Sequence, residues 1–357
     1  MSQTMTVKVK LNPTKKQKLL LASSSRVYIE EVNKLVYEMV EWRTDFKKSS
    51  KDIQAPLNSA VKNQVIRDAR SIFHKVKKDK FEWVPYLKNP IIVWNNQNYS
   101  ISDDKISMPF VIDGKSKKIS ISAIILPRER KIIESAAKRG TLRITKKNNK
   151  WIAQISLTIN TSNSESTKVM GVDLGIKNPA VCVTDDGEVK FCGNGRKNKY
   201  FRRFYNYRRK KLGKAKKLKA INKSHNKEQR YMNDQDHKIS RQVVEFAVFK
   251  NVGIIHLEEL AGIREKTRTS RKNNHSLSNW SFYRLALYIE YKANLTGIQV
   301  VYIKPQYTSQ ICPNCTKKNH ASDRLYRCSC GYTGHRDLVG AKNIRYAPVS
   351  DGNSLAA

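Results

Sequence analysis

Acidic residues are the scarce component of this chain: 30 Asp and Glu stand against 69 Lys and Arg in 357 residues, a formal charge of +39. A charge of that size repels itself, so the folded chain is expected to spend most of its time against a polyanion. Nucleic acid is the obvious one, but ribosomal proteins and histones are as basic, so charge names a partner class and no activity. Long apolar runs are missing too. None approaches the length that spans a bilayer, and residues 1–10 alternate polar and apolar without the hydrophobic stretch of a secretion signal. These absences predict an intracellular, cytoplasmic protein with no membrane partner. Cysteine is sparse, and four of the six crowd between Cys312 and Cys330, which argues against a disulfide framework. There is no internal repeat. The 39% of hydrophobic residues excludes a wholly disordered basic tail, and the length allows two or more domains with real cores.

Residues 5–10 alternate like a strand with one buried face. Thr14-Lys15-Lys16-Gln17 has the form of a capping box, opening a helix that continues to about Arg43. A second helix is expected from about Leu57 to Lys78, where Leu57, Val61, Val65, Ala69, Ile72, Phe73 and Val76 recur on one face. Between 91 and 159 the texture becomes short strands broken by turns at Asp113-Gly114 and Arg139-Gly140. The polar stretch 160–168 reads as a linker. Beyond it, Val169–Leu174, Ala180–Thr184 and Val189–Cys192 are expected as strands, the last two joined by a turn at Asp185-Asp186-Gly187. A basic helical region (196–250), a strand (252–257), a helix (280–295), a strand (298–303), the cysteines and a last helix (337–346) follow. Three meandering strands and then alternating helices and strands is the element order of an RNase H-like fold, with parallel pairing for the later strands.

Three carboxylates stand at matching ends of these elements. Asp173 ends a hydrophobic strand just before Gly175; Glu258 and Glu259 end Ile254–Leu257; Asp337 opens the last helix. Singly, each is an ordinary turn or cap residue. Jointly they predict one site, because a phosphodiester is hydrolysed readily where two divalent ions sit about 3.5–4 Å apart. Mg²⁺ is hard and takes oxygen ligands. The expected roles are Asp173 bridging two Mg²⁺ ions, with Glu258 and Asp337 each holding one side. Glu258 is preferred over Glu259 as the carboxylate nearer the strand.

Cys312-Pro-Asn-Cys315, twelve residues, then Cys328-Ser-Cys330 predicts a Zn²⁺ site with four thiolates, structural because no position stays open. Cys182 and Cys192 fall in expected strands and read as core. From Arg196 to Arg230 there are sixteen Lys/Arg and one acid, Glu228. Arg202, Arg203, Arg208, Arg209, Lys210 and Lys211 are candidate phosphate contacts. Among them lie Tyr200, Phe201, Phe204, Tyr205 and Tyr207. These rings could stack on unpaired bases, but for most of them packing on the core is the expectation.

Gly171-Val-Asp-Leu-Gly-Ile-Lys-Asn178, Ile255-His-Leu-Glu-Glu-Leu260, His335-Arg-Asp-Leu-Val-Gly-Ala-Lys-Asn-Ile344 and Tyr307-Thr-Ser-Gln-Ile-Cys-Pro-Asn-Cys315 together resemble the TnpB (OrfB) family. These are transposon-encoded RNA-guided nucleases related to the compact type V CRISPR effectors. The resemblance runs over about 168–346, with a softer likeness at Leu11–Gln17. It implies a multidomain α+β chain: a wedge-like N-terminal β-barrel (1–12 and 90–160) carrying a helical recognition insertion (13–89). A RuvC nuclease domain (168–304 and 331–346) with an inserted zinc ribbon (305–330) and a flexible tail (347–357) would follow. It also implies a guide RNA and a target DNA that is cut in both strands, engaged as double and as single strands. Two departures stand out: the third motif of the family reads Asp-x-Asn-Ala-Ala, where this chain has Val339-Gly340, and the second cysteine pair is Cys-x-Cys. Neither removes a carboxylate. Guided or unguided DNA-binding repressors without cleavage, DDE-like strand-transfer transposases and basic RNA-binding structural proteins are the competing classes.

Overall fold

The structure is a computed structural model that describes residues 2–45, 47–79, 83–224, 226–260, 280–319, 321 and 323–347. It divides into two compact units, residues 2–160 and 161 onward. Apart from Ala347, the expected tail lies outside the described residues. Among those residues no helix is long and apolar enough to cross a membrane.

The first unit is a seven-stranded antiparallel sheet with two long helices. Its strands are β1 (Ser2–Leu11), β2 (Ile91–Trp94), β3 (Ser100–Ser102), β4 (Lys105–Ile112), β5 (Lys115–Ile124), β6 (Lys138–Lys147) and β7 (Lys150–Asn160). They are ordered β2-β6-β7-β1-β5-β4-β3. The sheet curls: the indole of Trp94 in β2 donates to the Pro109 carbonyl of β4 at 3.1 Å and meets Phe110 edge-on. Two helices, α1 (Lys15–Glu41) and α2 (Ser59–Asp79), join β1 to β2. The capping box forms as expected, with Gln17 N–H donating to the Thr14 hydroxyl and Thr14 N–H to the Gln17 side chain. A further short helix, α3 (Pro127–Glu134), precedes β6.

Asp113 and Gly114 make the two-residue turn between β4 and β5, both with positive φ, as a primed hairpin turn demands. Arg139-Gly140 is not a turn. It lies at a register shift inside β6, where the Gly140 carbonyl accepts from the Tyr99 hydroxyl at 3.0 Å. The reversal comes later, at Asn148-Asn149, again with positive φ at both residues. A bulge and a turn use glycine for similar backbone reasons, so the sequence did not separate them.

The second unit is a five-stranded sheet, β10-β9-β8-β11-β12, made of β8 (Val169–Asp173), β9 (Ala180–Val183), β10 (Val189–Cys192), β11 (Ile254–Glu258) and β12 (Gln299–Ile303). The first three pair antiparallel; β8–β11 and β11–β12 pair parallel. The helices are α4 (Gly195–Lys214), α5 (Leu218–Lys223), α6 (Lys227–Phe249), α7 (Phe282–Leu295) and α8 (Arg336–Tyr346). Alternation along the strands assigns them to faces. Met170 and Val172 of β8, with Ile255 and Leu257 of β11, join a core with Val243 and Ala247 of α6 and Leu285 and Ile289 of α7. Each of the Met, Val, Ile and Leu side chains stabilises the fold by about 1.5–3 kcal/mol when fully buried. Val181 and Val183 of β9 pack on Ala341 of α8.

Gly171 lets α8 lie against β8. A Cβ there would sit 2.1 Å from the Ala341 carbonyl oxygen and 2.7 Å from Arg345 N. Both are backbone atoms and cannot swing aside. Gly171→Ala is therefore expected to destabilise this unit by about 3 kcal/mol or more, which thermal or urea unfolding reads directly. An unchanged transition would show that helix and strand can separate at little cost. The stretch 161–168 carries no regular structure, yet it is laid down on this unit: Ser164 N–H donates to the Gly297 carbonyl at 2.9 Å, and Gly253 leaves room for the Ser166 carbonyl.

Candidate active site

The β8–β11 register pairs Gly171 with His256 and Val172 with Leu257. Asp173 and Glu258 are the next step along, side by side at the C-terminal ends of neighbouring parallel strands, whose spacing is about 4.7–4.9 Å. Parity decides which glutamate faces inward. His256, two residues before Glu258, turns to the α8 face, where its Nδ1 lies 3.2 Å from the Ile344 carbonyl oxygen. Glu258 shares that face; Glu259 does not, and is exposed, with its N–H bonded to the Ile303 carbonyl at 2.9 Å. Asp337 arrives from the first turn of α8, its N–H donating to His335 Nδ1 at 3.3 Å.

Asp173, Glu258 and Asp337 line one cleft of about 520 Å³, with Thr308, Arg324 and Arg336 around them. Burial pushes the Asp173 carboxyl well above the usual carboxylate range, and the neighbouring Glu258 and Asp337 charges push it further, against the pull of Arg324 and Arg336. Burial raises Glu258 as well, opposed by the Thr308 hydroxyl that donates to its Oε1. Three carboxylates facing one cleft make an oxygen-rich donor set suited to hard cations. Among the described residues, only the four cysteines bring three or more ligand atoms within 4.8 Å of one another.

Several contributors carry no signal that sequence reading used. Arg324 Nη1 donates to Asp337 Oδ1 at 2.5 Å, and Asn178 Nδ2 to Asp337 Oδ2 at 2.8 Å. Asn343 Nδ2 donates to the Thr308 and Ile311 carbonyls at 2.6 and 2.8 Å, fixing the loop that delivers Thr308 to Glu258. The motif spanning Gly171–Asn178 contained Asn178, but nothing in it pointed to Asp337. The two family departures also have physical contexts. Val339 is fully buried with Cys312 and Tyr326. A Cβ at Gly340 would sit 3.2 Å from Asp173 Oδ2.

The cysteines gather on a small hairpin of β13 (Leu325–Arg327) and β14 (Thr333–His335) and the loop before it. Cys312 Sγ is 3.7 Å from Cys330 Sγ, and Cys315 Sγ is 3.4 Å from Cys328 Sγ. Four sulfurs about 2.3 Å from one tetrahedral Zn²⁺ would be about 3.8 Å apart, so the set fits. The N–H of Cys330 holds the Cys328 thiol down at about 6, and that of Tyr332 lowers Cys330. Cys315 goes the other way, up to about 12: the Lys317 N–H opposes the shift, but burial and hydrogen bonds to the other three thiols outweigh it. Negative charge crowded among four thiols is what a divalent cation relieves. Cys182 and Cys192 are buried in the sheet.

The basic region is three helices, α4 to α6. Of the six candidate phosphate contacts, Arg202 and Arg209 reach back to Glu228 on α6, at 3.8 and 2.5 Å. Arg203, Arg208, Lys210 and Lys211 are exposed and make no salt bridge among the described residues. The aromatics correct the expectation. Phe201 packs on Tyr231 at 4.2 Å, but Tyr200, Phe204 and Tyr207 are exposed.

With this geometry in view, two family models match: "Probable transposase" over residues 132–264 and "Cas12f1-like, TNB domain" over 282–344. The TnpB-like protein MJ0751 of Methanocaldococcus jannaschii is 30% identical over 261 residues, covering 69% of this chain and 91% of that protein. The CRISPR-associated endodeoxyribonuclease Cas12f1 of Sulfoacidibacillus thermotolerans is 31% identical over 219 residues, covering 55% of this chain. The chain spans 50% of that relative's length. A Cas12f1 solved in complex with sgRNA and target DNA has the same fold, with a TM-score of 0.72 at 14% identity, covering 98% of this chain and all of the other. The fold is thus that of the compact type V effectors. The chain belongs to the TnpB-like family.

Proposed function

We propose that this chain is a transposon-encoded, RNA-guided DNA endonuclease of the RuvC type. The observation that carries the proposal is the meeting of Asp173, Glu258 and Asp337, from two strands and a helix far apart in sequence, on one cleft. Support for the guide and the target comes from the relatives: one is called an endodeoxyribonuclease, and a solved Cas12f1 holds sgRNA and target DNA. In this reading residues 168–304 and 331–346 are the RuvC domain with the zinc ribbon 305–330 inserted, and residues 1–12 and 90–160 are the wedge barrel with the recognition insertion 13–89. Double-stranded target is opened, and single strands reach the cleft.

Asp173, at the centre, would hold two Mg²⁺ ions jointly, with Glu258 and Asp337 on either side. Bound there, the ions supply an activated water and stabilise the leaving oxygen. The chain's own groups set the geometry. Thr308 fixes the rotamer of Glu258, while Asn178 and Arg324 hold the two oxygens of Asp337. Arg324 and Arg336 offset the charge of the carboxylates and offer donors to a phosphate.

The glutamate pair gives a test. Cleavage of a matched target in Mg²⁺, by protein loaded with the RNA that co-purifies with it, is expected to vanish in Glu258→Ala and to stay within about twofold in Glu259→Ala. Full activity in Glu258→Ala, or the absence of any discrete RNA, would overturn the proposal.

A further inference from the structure

The outer face of α4 carries exposed rings that the cleft does not use. Tyr200, Phe204 and Tyr207 are 64%, 44% and 67% exposed. At positions i, i+4 and i+7 they fall within about 60° of one another around the helix. Tyr200 and Phe204 lie nearly parallel, 6.4 Å between centroids and 19° between planes. The helix is anchored by its other side, through Phe201 on Tyr231 and through Arg202 and Arg209 on Glu228. The three rings are therefore held outward by the packing. Water is a poor neighbour for so much contiguous ring surface, and such patches mark interaction sites.

Charge indicates the occupant. Around the rings lie Arg203 on one flank, Lys197 and Arg208 on the other and Lys211 between, all exposed and without a salt bridge among the described residues. α4 itself contains no acid. A duplex would use the cations and leave the rings idle, because its bases are already stacked. An unpaired strand uses both, phosphates on the cations and bases on the rings. From Tyr200 to Tyr207 the helix rises about 10.5 Å, room for a few unpaired nucleotides.

Position indicates which strand. α4 begins against the loop that follows Asp173: Gly195 N–H donates to the Lys177 carbonyl at 3.1 Å, and a side chain at Gly195 would strike the Ile176 carbonyl. Gly175 lines the carboxylate cleft and also a second cavity of about 340 Å³ that runs along α4 to Arg203. Arg203 borders the aromatic stripe on the helix surface. Cleft and cavity thus share Gly175, and the cavity reaches the flank of the stripe at Arg203.

We infer that Tyr200, Phe204 and Tyr207 form a stacking platform for single-stranded DNA, the stretch of substrate strand flanking the phosphate in the carboxylate cleft. The identity of the strand rests on the nuclease reading; the platform itself does not.

The test is binding, read without cleavage. In divalent-free buffer, a labelled 20-nucleotide dT strand, an rU strand of the same length and a 20-base-pair duplex are titrated with the protein. Tyr200→Ala/Phe204→Ala/Tyr207→Ala is expected to weaken dT binding at least tenfold, because each stacked base contributes about 1–3 kcal/mol. It should leave the salt dependence and the duplex affinity unchanged. Tyr200→Phe/Tyr207→Phe, which keeps the rings, should bind dT like the natural protein. Arg203→Gln/Arg208→Gln/Lys211→Gln should flatten the salt slope by about 0.7 for each phosphate that is no longer neutralised.

Unchanged dT affinity in the triple alanine variant with an intact thermal transition would overturn the platform. An equal loss on the duplex would reduce it to a general basic surface. A loss confined to rU would reassign it to RNA and overturn the DNA commitment. A natural protein that is dimeric by light scattering, and becomes monomeric in the variant, would show that a second copy covers the rings. Failure of the nuclease reading would appear separately, as cleavage that survives Asp173→Ala.

Discussion

Asp173→Ala is expected to lower Mg²⁺-dependent DNA cleavage on the order of a thousand-fold or more, a loss of about 4 kcal/mol in transition-state stabilisation. DNA affinity should stay within about twofold, because the phosphate-binding charge lies on other residues. The raised pKa of Asp173 adds a prediction with no activity readout. Burial and the adjacent Glu258 and Asp337 charges put the folded-state value above the unfolded one. The protonated form is therefore the one the fold tolerates. Its contribution to stability is present below the unfolded value and is lost as pH rises through the raised one. Without divalent ions, the natural protein should lose thermal stability relative to Asp173→Asn as pH rises above the ordinary carboxylate range. Added Mg²⁺ should recover that stability, more at pH 8 than at pH 5.5, since protons and the cation compete for the same oxygens. A Mg²⁺ stabilisation equal in both proteins at both pH values would remove Asp173 from the ion-binding set.

Cys312→Ser is expected to bring the second large effect. Structural zinc contributes apparent free energies of about 10–16 kcal/mol in small zinc-finger peptides. The cluster here is small and needs such a contribution: Cys312, Tyr326 and Val339 are its only fully buried apolar groups among the described residues. The natural chain should carry one zinc per molecule by elemental analysis and lose it in the variant, with a thermal transition lower by ten degrees or so. Cleavage should fall in parallel, because Thr308 reaches Glu258 from just before Cys312, and Arg324 reaches Asp337 from between the two cysteine pairs. Cys182→Ala should keep its zinc. A full zinc complement in Cys312→Ser would show that the ion, if bound, sits elsewhere.

Much of this second unit was legible in the residues. β8 to β10 are short apolar runs punctuated by glycine, proline and aspartate, and each lies within a residue of its expected span. The cysteine pairs announced themselves by spacing. Glu258 was preferred for its nearness to the strand; the physical reason is parity, shared with His256, and the alternation of Ile255 and Leu257 already contained it. What stayed hidden depends on contacts between segments far apart in sequence. Arg324 sits in a short exposed stretch with no pattern, and only the hairpin geometry brings it to Asp337. α3 was missed because eight residues give too little periodicity. The rings of α4 were expected inside, since aromatic residues usually bury; with three of them turned outward, the rule failed where a partner surface is inferred.

The eleven-residue helix α8 joins two regions that the sequence treats as separate. Asp337 stands in its first turn, Val339 is locked among the cysteines, and Asn343 grips the segment that carries Thr308. A helix of three turns bends little over that span, so it behaves as a stiff lever. Tilting the hairpin must either pull Arg324 off Asp337 or swing the acid itself. Whatever presses on the cysteine hairpin is therefore transmitted mechanically to the place where a phosphate would be cut.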